Sequence, residues 1–429
     1  MSRLHGFSDL VGLRVGVYGL GVEGRAALEQ LKRLGIETVA VDDNDLGDGI
    51  LLASDGGLEE LHHCDVVLKS PGIPRRREDI LALEDSGVLV TSPLALWLSG
   101  RDRAHVIGVT GTKGKSTTSS LIDFFLRALG VSSRLTGNIG QPPFDPLIED
   151  ADWTVVEISS FQAVDVTDAP GIVVVTSLGS DHLDWHGSLE QYHRDKLQLT
   201  HGQGHHLTII PDDPELLIRR DEIGGDVVVS HEPDPELASA LGLVGEHNAR
   251  NVGLALRVVS LALHRSPAEC REHIVDAAAS FTPLPGRLTL VHRTQTPAPI
   301  DFIDDGLATN PLATSAALEA FTGRPVALIV GGFDRGMDYA PLAAAIRRHG
   351  DVRVTTTPAA GKRIGEVVRR DAPGVIVSDF DSLNEAVDAA VMSLGDGGVV
   401  VLSPGAPSFG QFHNWKDRSD HFTNYVRSL

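Results

Sequence analysis

The chain has 429 residues, 42% hydrophobic and 22% charged, with 58 acidic against 37 basic side chains and a formal net charge of −21. That composition excludes a disordered chain and disfavours non-specific binding to nucleic acid or anionic lipid, although a local basic pocket stays open. Cys64 and Cys270 are too few for a disulfide scaffold and too far apart for a compact metal motif, which fits a reducing compartment. Residues 1–10 show no leader pattern, and no run approaches the ~20 apolar residues of a spanning helix, so a cytoplasmic protein is expected.

Short Val/Ile-rich runs alternate with amphipathic stretches along the chain. Strands are expected over residues 14–18, 38–41, 66–68, 106–109, 154–156 and 172–175, and later over 327–330, 352–355, 375–377 and 399–402. Helices are expected over 25–34 and 115–129. Such alternation predicts an α/β fold of right-handed βαβ units with parallel sheets. Two joints stand out, the polar stretch 99–105 and the Pro- and Gly-containing stretch 281–287. They predict three domains, residues 1–100, 101–284 and 285–429. The first and last read as Rossmann-like, and the middle one as a phosphate-loop ATPase-like sheet.

The motifs fall where strands end. Gly19-Leu20-Gly21-Val22-Glu23-Gly24 follows a strand and opens a helix, with Asp42 and Asp43 ending the next strand. On its own it fits a dinucleotide, another nucleotide diphosphate, or close packing of helix on strand. Gly108-Val109-Thr110-Gly111-Thr112-Lys113-Gly114-Lys115-Ser116-Thr117 carries the stronger signal. Glycines let backbone N–H groups converge on phosphate, the helix N-terminus adds positive potential, and Lys115 and Ser116 supply an ammonium and a Mg²⁺-ligating hydroxyl. Glu157 ends a strand in the same sheet, a place suited to holding Mg²⁺. Asp181-His182-Leu183-Asp184-Trp185-His186 reads either as a metal or phosphate cluster or as a solvated turn. Lys196, on a helical stretch, reads by itself as solvated. Asn248 and Asn251 are one helical turn apart and fit either a base edge or a cap. Arg287 fits a phosphate contact or a solvated surface. Loops at 304–310, 331–336 and 403–409 follow strands, where open α/β sheets bind ligands.

Taken in order, Gly111-Thr112-Lys113-Gly114-Lys115-Ser116, Glu157-Ile158-Ser159-Ser160-Phe161-Gln162, Asp181-His182-Leu183-Asp184, His247-Asn248-Ala249-Arg250-Asn251 and Ala308-Thr309-Asn310 resemble the Mur ligase family, the ATP-dependent amino-acid ligases of peptidoglycan precursor synthesis. The resemblance spans essentially the whole chain. Gly19 to Gly24, Ser70-Pro71-Gly72-Ile73 and Gly137-Asn138-Ile139-Gly140 point within it to members that add glutamate to UDP-N-acetylmuramoyl-L-alanine.

The resemblance implies the roles. Gly111, Thr112, Lys113, Gly114, Lys115, Ser116, Thr117, Asn248, Asn251, Arg287 and Asp305 would bind ATP. Ser116 and Glu157 would hold one Mg²⁺. His182 and Lys196, the latter as a carbamate, would serve a second. Lys115, His182, Lys196 and Arg287 would carry the catalysis. Gly19, Leu20, Gly21, Asp42, Ser70, Gly72 and Asn138 would hold the UDP-sugar. Thr309, Arg335, Ser408 and Trp415 would receive glutamate.

Two departures matter. The family's Asp-Ser-Lys-Ala-Thr-Asn is here Asp305-Gly306-Leu307-Ala308-Thr309-Asn310, and a Gly-Gly-x-x-Lys element carries Arg335 instead. The stretches 331–338 and 402–409 look more like the L-glutamate-adding variant than the D-glutamate enzyme. The implied partners are the UDP-sugar, glutamate, ATP and Mg²⁺, with no nucleic acid or membrane, and the chain is expected to be a monomer that closes its domains to assemble the site. The rival readings are a folylpolyglutamate synthase-like ligase, an NAD-dependent oxidoreductase, and a nucleotide-binding regulator without catalysis.

Overall fold

A computed structural model describes residues 3–47 and 49–429. Its strands form three sheets. The first holds β1 (Val15–Tyr18), β2 (Thr38–Asp42), β3 (Leu51–Leu52), β4 (Val66–Lys69) and β5 (Leu89–Thr91), in the order β3-β2-β1-β4-β5, all parallel. The second holds β6 (Val106–Thr110), β7 (Ser133–Gly137), β8 (Trp153–Glu157), β9 (Ile172–Val175), β10 (Leu207–Pro211) and β11 (Asp226–Ser230). Its order is β11-β10-β9-β6-β8-β7, again all parallel. The third holds β12 (Thr289–Arg293), β13 (Ile300–Asp304), β14 (Val326–Gly332), β15 (Val352–Ala359), β16 (Ile376–Asp379) and β17 (Gly398–Gly405), in the order β12-β13-β17-β14-β15-β16.

One strand departs from the expected parallel pattern. β12 pairs antiparallel with β13. Only residues 294–299 join them, too few for the crossover that parallel strands need. The central strands of each sheet are buried along their full length, as in β1, β6, β9 and β17. Helices on both faces explain their unbroken Val/Ile composition.

The chain forms two compact units, Met1–Pro233 with Arg250–Asp276, and Asp234–Ala249 with Ala277–Leu429. Within the first unit, the first two sheets share one core, in which Val17 and Leu94 join Phe144, Val156 and Leu197. Each such buried side chain contributes roughly 1.5–3 kcal/mol. Polar links reinforce that core. Lys69, at the end of β4, pairs with Asp165 at 2.8 Å with both side chains buried. Arg76 donates to Asp195 at 3.0 Å, and Gln162 donates to Glu23. Breaking a buried pair such as Lys69–Asp165 from one side costs about 3–5 kcal/mol, so that pair in particular ties the first sheet to the second. Among the described residues, no helix is long and apolar enough to cross a membrane.

Candidate functional site

β6 delivers the glycine-rich loop, and the helix Lys115–Ala128 begins directly after it. Gly114 caps that helix at φ 83°, and a Cβ there would lie 2.8 Å from the Asn251 side-chain oxygen. Any other residue would be strained and would displace that amide. The Lys115 ammonium donates to the carbonyls of Gly111 and Thr112 at 2.8 and 3.2 Å. Thr112 bonds the Tyr192 hydroxyl at 2.9 Å and accepts from the Gly179 N–H at 2.9 Å, so the loop after β9 braces the loop after β6. Lys113 is exposed, Ser116 buried and Thr117 half-buried.

Lys196 corrects the reading of a solvated lysine. It sits on the helix Leu189–Leu197, is 1% exposed, and donates to the Gly111 carbonyl at 3.0 Å. Its neighbour one turn back, Tyr192, is buried too, so this helical face looks inward. Burial, and then the charge of Lys115, hold the Lys196 amine well below the usual lysine range. Two lysines therefore converge on one carbonyl, and burial beside a second cation weakens the basicity of Lys196.

Glu157 closes β8 and is 1% exposed. One carboxylate oxygen accepts from the Asn138 side-chain amide at 2.7 Å, while the other is buried without a hydrogen-bond partner. That orphaned oxygen suits a divalent cation. No group of three or more His, Cys, Asp or Glu side chains forms a metal cage among the described residues. Mg²⁺ does not need one, because it is commonly held by one or two carboxylates plus substrate phosphates and water.

The histidines separate. His186 is buried with both ring nitrogens engaged, by Asp195 at 2.7 Å and Ser160 at 3.0 Å, so it is a structural residue and not a metal ligand. His182 has φ 48° and a half-exposed ring 4.8 Å from that of Phe161. The segment is a short helix, Leu183–His186, not a solvated turn. The side chain of Asp184 lies outside the described residues.

The first sheet carries a separate cleft of about 350 Å³. It lies at the carboxyl ends of β1 and β4, where strand order reverses and α/β sheets open. Gly19, Leu20, Gly21, Asp42, Ser70 and Gly72 line it together with Glu23. Asn138 does not, being bonded instead to Glu157. A Cβ on Gly24 would sit 2.0 Å from the Gly19 carbonyl, so that glycine serves helix packing. A Cβ on Gly21 would meet nothing within 4 Å, so the backbone there is left open to a ligand. Asp42 accepts from the Leu20 N–H at 2.6 Å and from the Asn44 N–H at 2.9 Å, and holds the turn. Glu23 is pushed up to about 7, chiefly by burial.

In the second unit, Asn248 is buried and donates to the Val244 carbonyl at 2.7 Å, whereas Asn251, in the first unit, faces Gly114. Arg287 is exposed. Asp305 is pushed up to about 7 by burial, against a 2.7 Å hydrogen bond from Ser403. Thr309, Arg335 and Ser408 lie on the loops after β13, β14 and β17, which are adjacent strands. Trp415 opens the helix Trp415–Val426 and packs close to Gly286. Sequence reasoning passed over Arg418 on that helix, since nothing in Trp-Lys-Asp-Arg separates it from a surface arginine. It is 4% exposed, and its guanidinium donates to backbone carbonyls of Gly306, Gly331 and Ala406.

Three α/β sheets, one with a lysine-bearing phosphate loop and a buried acid at the next strand end, define a nucleotide-phosphate-binding enzyme. Residues 109–229 match the Mur ligase middle domain, and residues 286–406 match the Mur ligase glutamate ligase domain. The UDP-N-acetylmuramoyl-L-alanine–L-glutamate ligases of a Micromonospora strain and of Salinispora tropica are each 38% identical, over 98% of this chain and 98% of theirs. That of Xanthomonas axonopodis pv. citri is 36% identical over 97% of this chain and 95% of its own. Among solved structures, the MurF ligase of Thermotoga maritima in complex with ADP covers 98% of this chain and 97% of its own at TM-score 0.58 and 16% identity. The UDP-N-acetylmuramate–alanine ligase of the same organism covers 97% and 99% at TM-score 0.56 and 17% identity. At such identities these structures establish the fold. The chain belongs to the Mur ligase family and is an ATP-dependent amino-acid ligase.

Proposed function

We propose that the protein joins L-glutamate to UDP-N-acetylmuramoyl-L-alanine, with ATP split to ADP and phosphate. The observation that carries this reading is near full-length similarity to ligases named for that reaction, in a chain whose phosphate loop holds Lys115 beside a buried Lys196 and Glu157. Residues 1–100 would hold the UDP moiety, 101–284 ATP and 285–429 glutamate. The L-glutamate choice rests on the relatives and on the stretches 331–338 and 402–409. Arg335 in place of lysine supports a differently shaped carboxylate clamp, because a guanidinium binds bidentately where an ammonium is a point charge.

In the proposed sequence, a carboxylate oxygen of the alanyl substrate attacks the γ-phosphorus and the bond to the β-phosphate oxygen breaks, leaving an acyl phosphate and ADP. The glutamate amine, having lost a proton, attacks the acyl carbon, and phosphate departs with the bonding pair. Lys115 neutralises charge on the transferring group, and Arg287 is its proposed partner from the second unit. Backbone N–H groups of residues 111–116 and the helix N-terminus position the phosphates. Ser116 and Glu157 would hold Mg²⁺, which when bound screens the phosphate charge. His182 and Lys196 are proposed for a second ion. The depressed basicity of Lys196 supports carbamate formation there: the neutral nitrogen adds to CO₂ and releases a proton. The carbamate would also relieve repulsion from Lys115. Such a reaction would place the protein in the cytoplasm and serve wall biogenesis, cell shape, division and the cell cycle.

Phosphate release is the test, with the UDP-sugar plus either L- or D-glutamate. Release that requires ATP, the UDP-sugar and L-glutamate is expected. Equal or faster turnover with D-glutamate overturns the chirality, and no release with either isomer overturns the reading.

A further inference from the structure

The helix Trp415–Val426 sends one charged side chain beneath the carboxyl edge of the third sheet. That side chain, Arg418, donates to the Gly306 carbonyl at 3.1 Å, to the Gly331 carbonyl at 3.4 Å, and to the Ala406 carbonyl at 3.2 and 3.3 Å. Those three carbonyls lie at or just past the ends of β13, β14 and β17, neighbouring strands of the sheet. Thr309 follows Gly306, Arg335 follows Gly331, and Ser408 follows Ala406. Trp415 stands one helical turn before Arg418. All four residues proposed to receive glutamate therefore hang on segments that one buried guanidinium ties together.

We infer that Arg418 is the positioning residue of the amino-acid pocket, setting the mutual placement of the loops that carry Thr309, Arg335 and Ser408. The inference rests on the reading of those loops as the glutamate pocket.

The chemistry of the contact supports it. The two terminal guanidinium nitrogens of Arg418 donate to main-chain carbonyls, while Nε is buried without a partner, so the fork reads backbone position directly and not a mobile acid. No carboxylate forms an ion pair with it at contact distance among the described residues. Burial draws the Arg418 guanidinium down to about 10, still charged at neutral pH, against the opposing charge of Asp304, which spends one oxygen on the Ser419 hydroxyl at 2.9 Å and the Gly306 N–H at 2.9 Å. A positive charge thus stays under a pocket that must take a dicarboxylate in a chain of net charge −21. A Cβ on Gly306 would fall 2.0 Å from the Ser419 hydroxyl, so glycine at 306 makes room for this helix. Lysine at 418 keeps the charge but concentrates its donors on one nitrogen, where arginine spreads them over a planar fork that reaches three carbonyls.

The test compares Arg418→Lys and Arg418→Met with Thr309→Ala and Ser408→Ala in the full-length enzyme, measuring kcat and KM for each of three substrates. Arg418→Met is expected to raise KM for L-glutamate roughly tenfold or more, leaving KM for ATP and the UDP-sugar within about twofold. Arg418→Lys should recover part of that loss. A folded Arg418→Lys enzyme with wild-type KM for glutamate overturns the inference, as does a proportional change in all three KM values. Arg418→Lys keeps the buried charge and carries the test if Arg418→Met does not fold. If Thr309→Ala and Ser408→Ala leave KM for glutamate unchanged, the pocket reading fails and takes the inference with it. If they raise it and the Arg418 variants do not, the inference alone fails.

Discussion

The first unit contains two glycine-rich turns of the same architecture, Gly19–Gly24 after β1 and Gly111–Lys115 after β6. Both join a buried parallel strand to a helix. They differ in charge. The first faces Asp42, Asp43 and Glu23, and Lys69, the lysine at the end of the adjoining strand, is buried against Asp165. The second has Lys115 and Lys196 converging on the Gly111 carbonyl. Backbone geometry alone offers either turn to a diphosphate. The side chains decide which can stabilise a transferring phosphoryl group: at the first turn Arg77 is paired with Asp43 at 2.5 Å, whereas two lysines bond the second loop itself. The glycine pattern at 19–24, which on its own fits a dinucleotide, another nucleotide diphosphate or close packing, is thus consistent with the proposed role of holding the UDP moiety without chemistry.

The sharpest way to break that contrast is Lys115→Ala. Phosphate release under saturating substrates should fall roughly 10²–10³-fold, because a preorganised cation on developing charge is lost. The melting temperature should hardly move. Near-normal turnover would remove the central loop from the chemistry.

A smaller effect separates the glycines. Gly114→Ala places a Cβ at φ 83° and within 2.8 Å of Asn251, at a strain of about 1–2 kcal/mol. KM for ATP should rise about tenfold. Gly21→Ala has open space and ordinary backbone at φ −69°, so it should leave ATP kinetics and stability alone and weaken only binding of the UDP-sugar. Equal effects of the two substitutions on ATP would argue against two distinct sites.

How far the sequence could be read follows from where the information lies. The glycine loops were legible because strand, turn and helix are contiguous and local chemistry dictates them. β1, β6, β9 and β14 were legible because a strand buried on both faces must be apolar throughout. The edge strands β7 and β11 were not: Ser133-Arg134-Leu135-Thr136 carries no apolar run, and the short run of valines at 227–229 is only half-buried and flanked by polar residues. β12 was missed for the same reason, and its antiparallel pairing depends on loop length. Lys196 and Arg418 look in sequence like any solvated cation on an amphipathic helix. Their burial depends on which helical face meets the sheet, which is tertiary information. His182 and His186 are equivalent as letters, and only the placement of Asp195 and Ser160 shows that His186 is already engaged.

The smallest predicted effect tests the acidic side of the comparison. Glu23 sits in the first turn of the helix Val22–Arg33, at the mouth of the cleft, and burial pushes its carboxyl up to about 7. The hydrogen bond from Gln162 and the charge of Lys69 act against that rise, and Asp165 adds to it. In the unfolded chain the group titrates near 4.5. Between about 4.5 and 7 the folded state therefore holds a proton that the unfolded state has released, so stability falls as pH rises through that window. Above 7 the full penalty, about 1–3 kcal/mol, is present. Glu23→Gln removes the titration and still offers an oxygen to Gln162. The melting temperature of the variant should match wild type near pH 4.5 and exceed it by a few degrees at pH 8. Affinity for UDP should follow the same course, because ionised Glu23 adds to the charges of Asp42 and Asp43 beside a diphosphate only above pH 7. Calorimetry at the two pH values reads both. A variant less stable than wild type at pH 8 would mean that the ionised Glu23 is compensated by Lys69, and that the first turn is less hostile to charge than the contrast with the central loop requires.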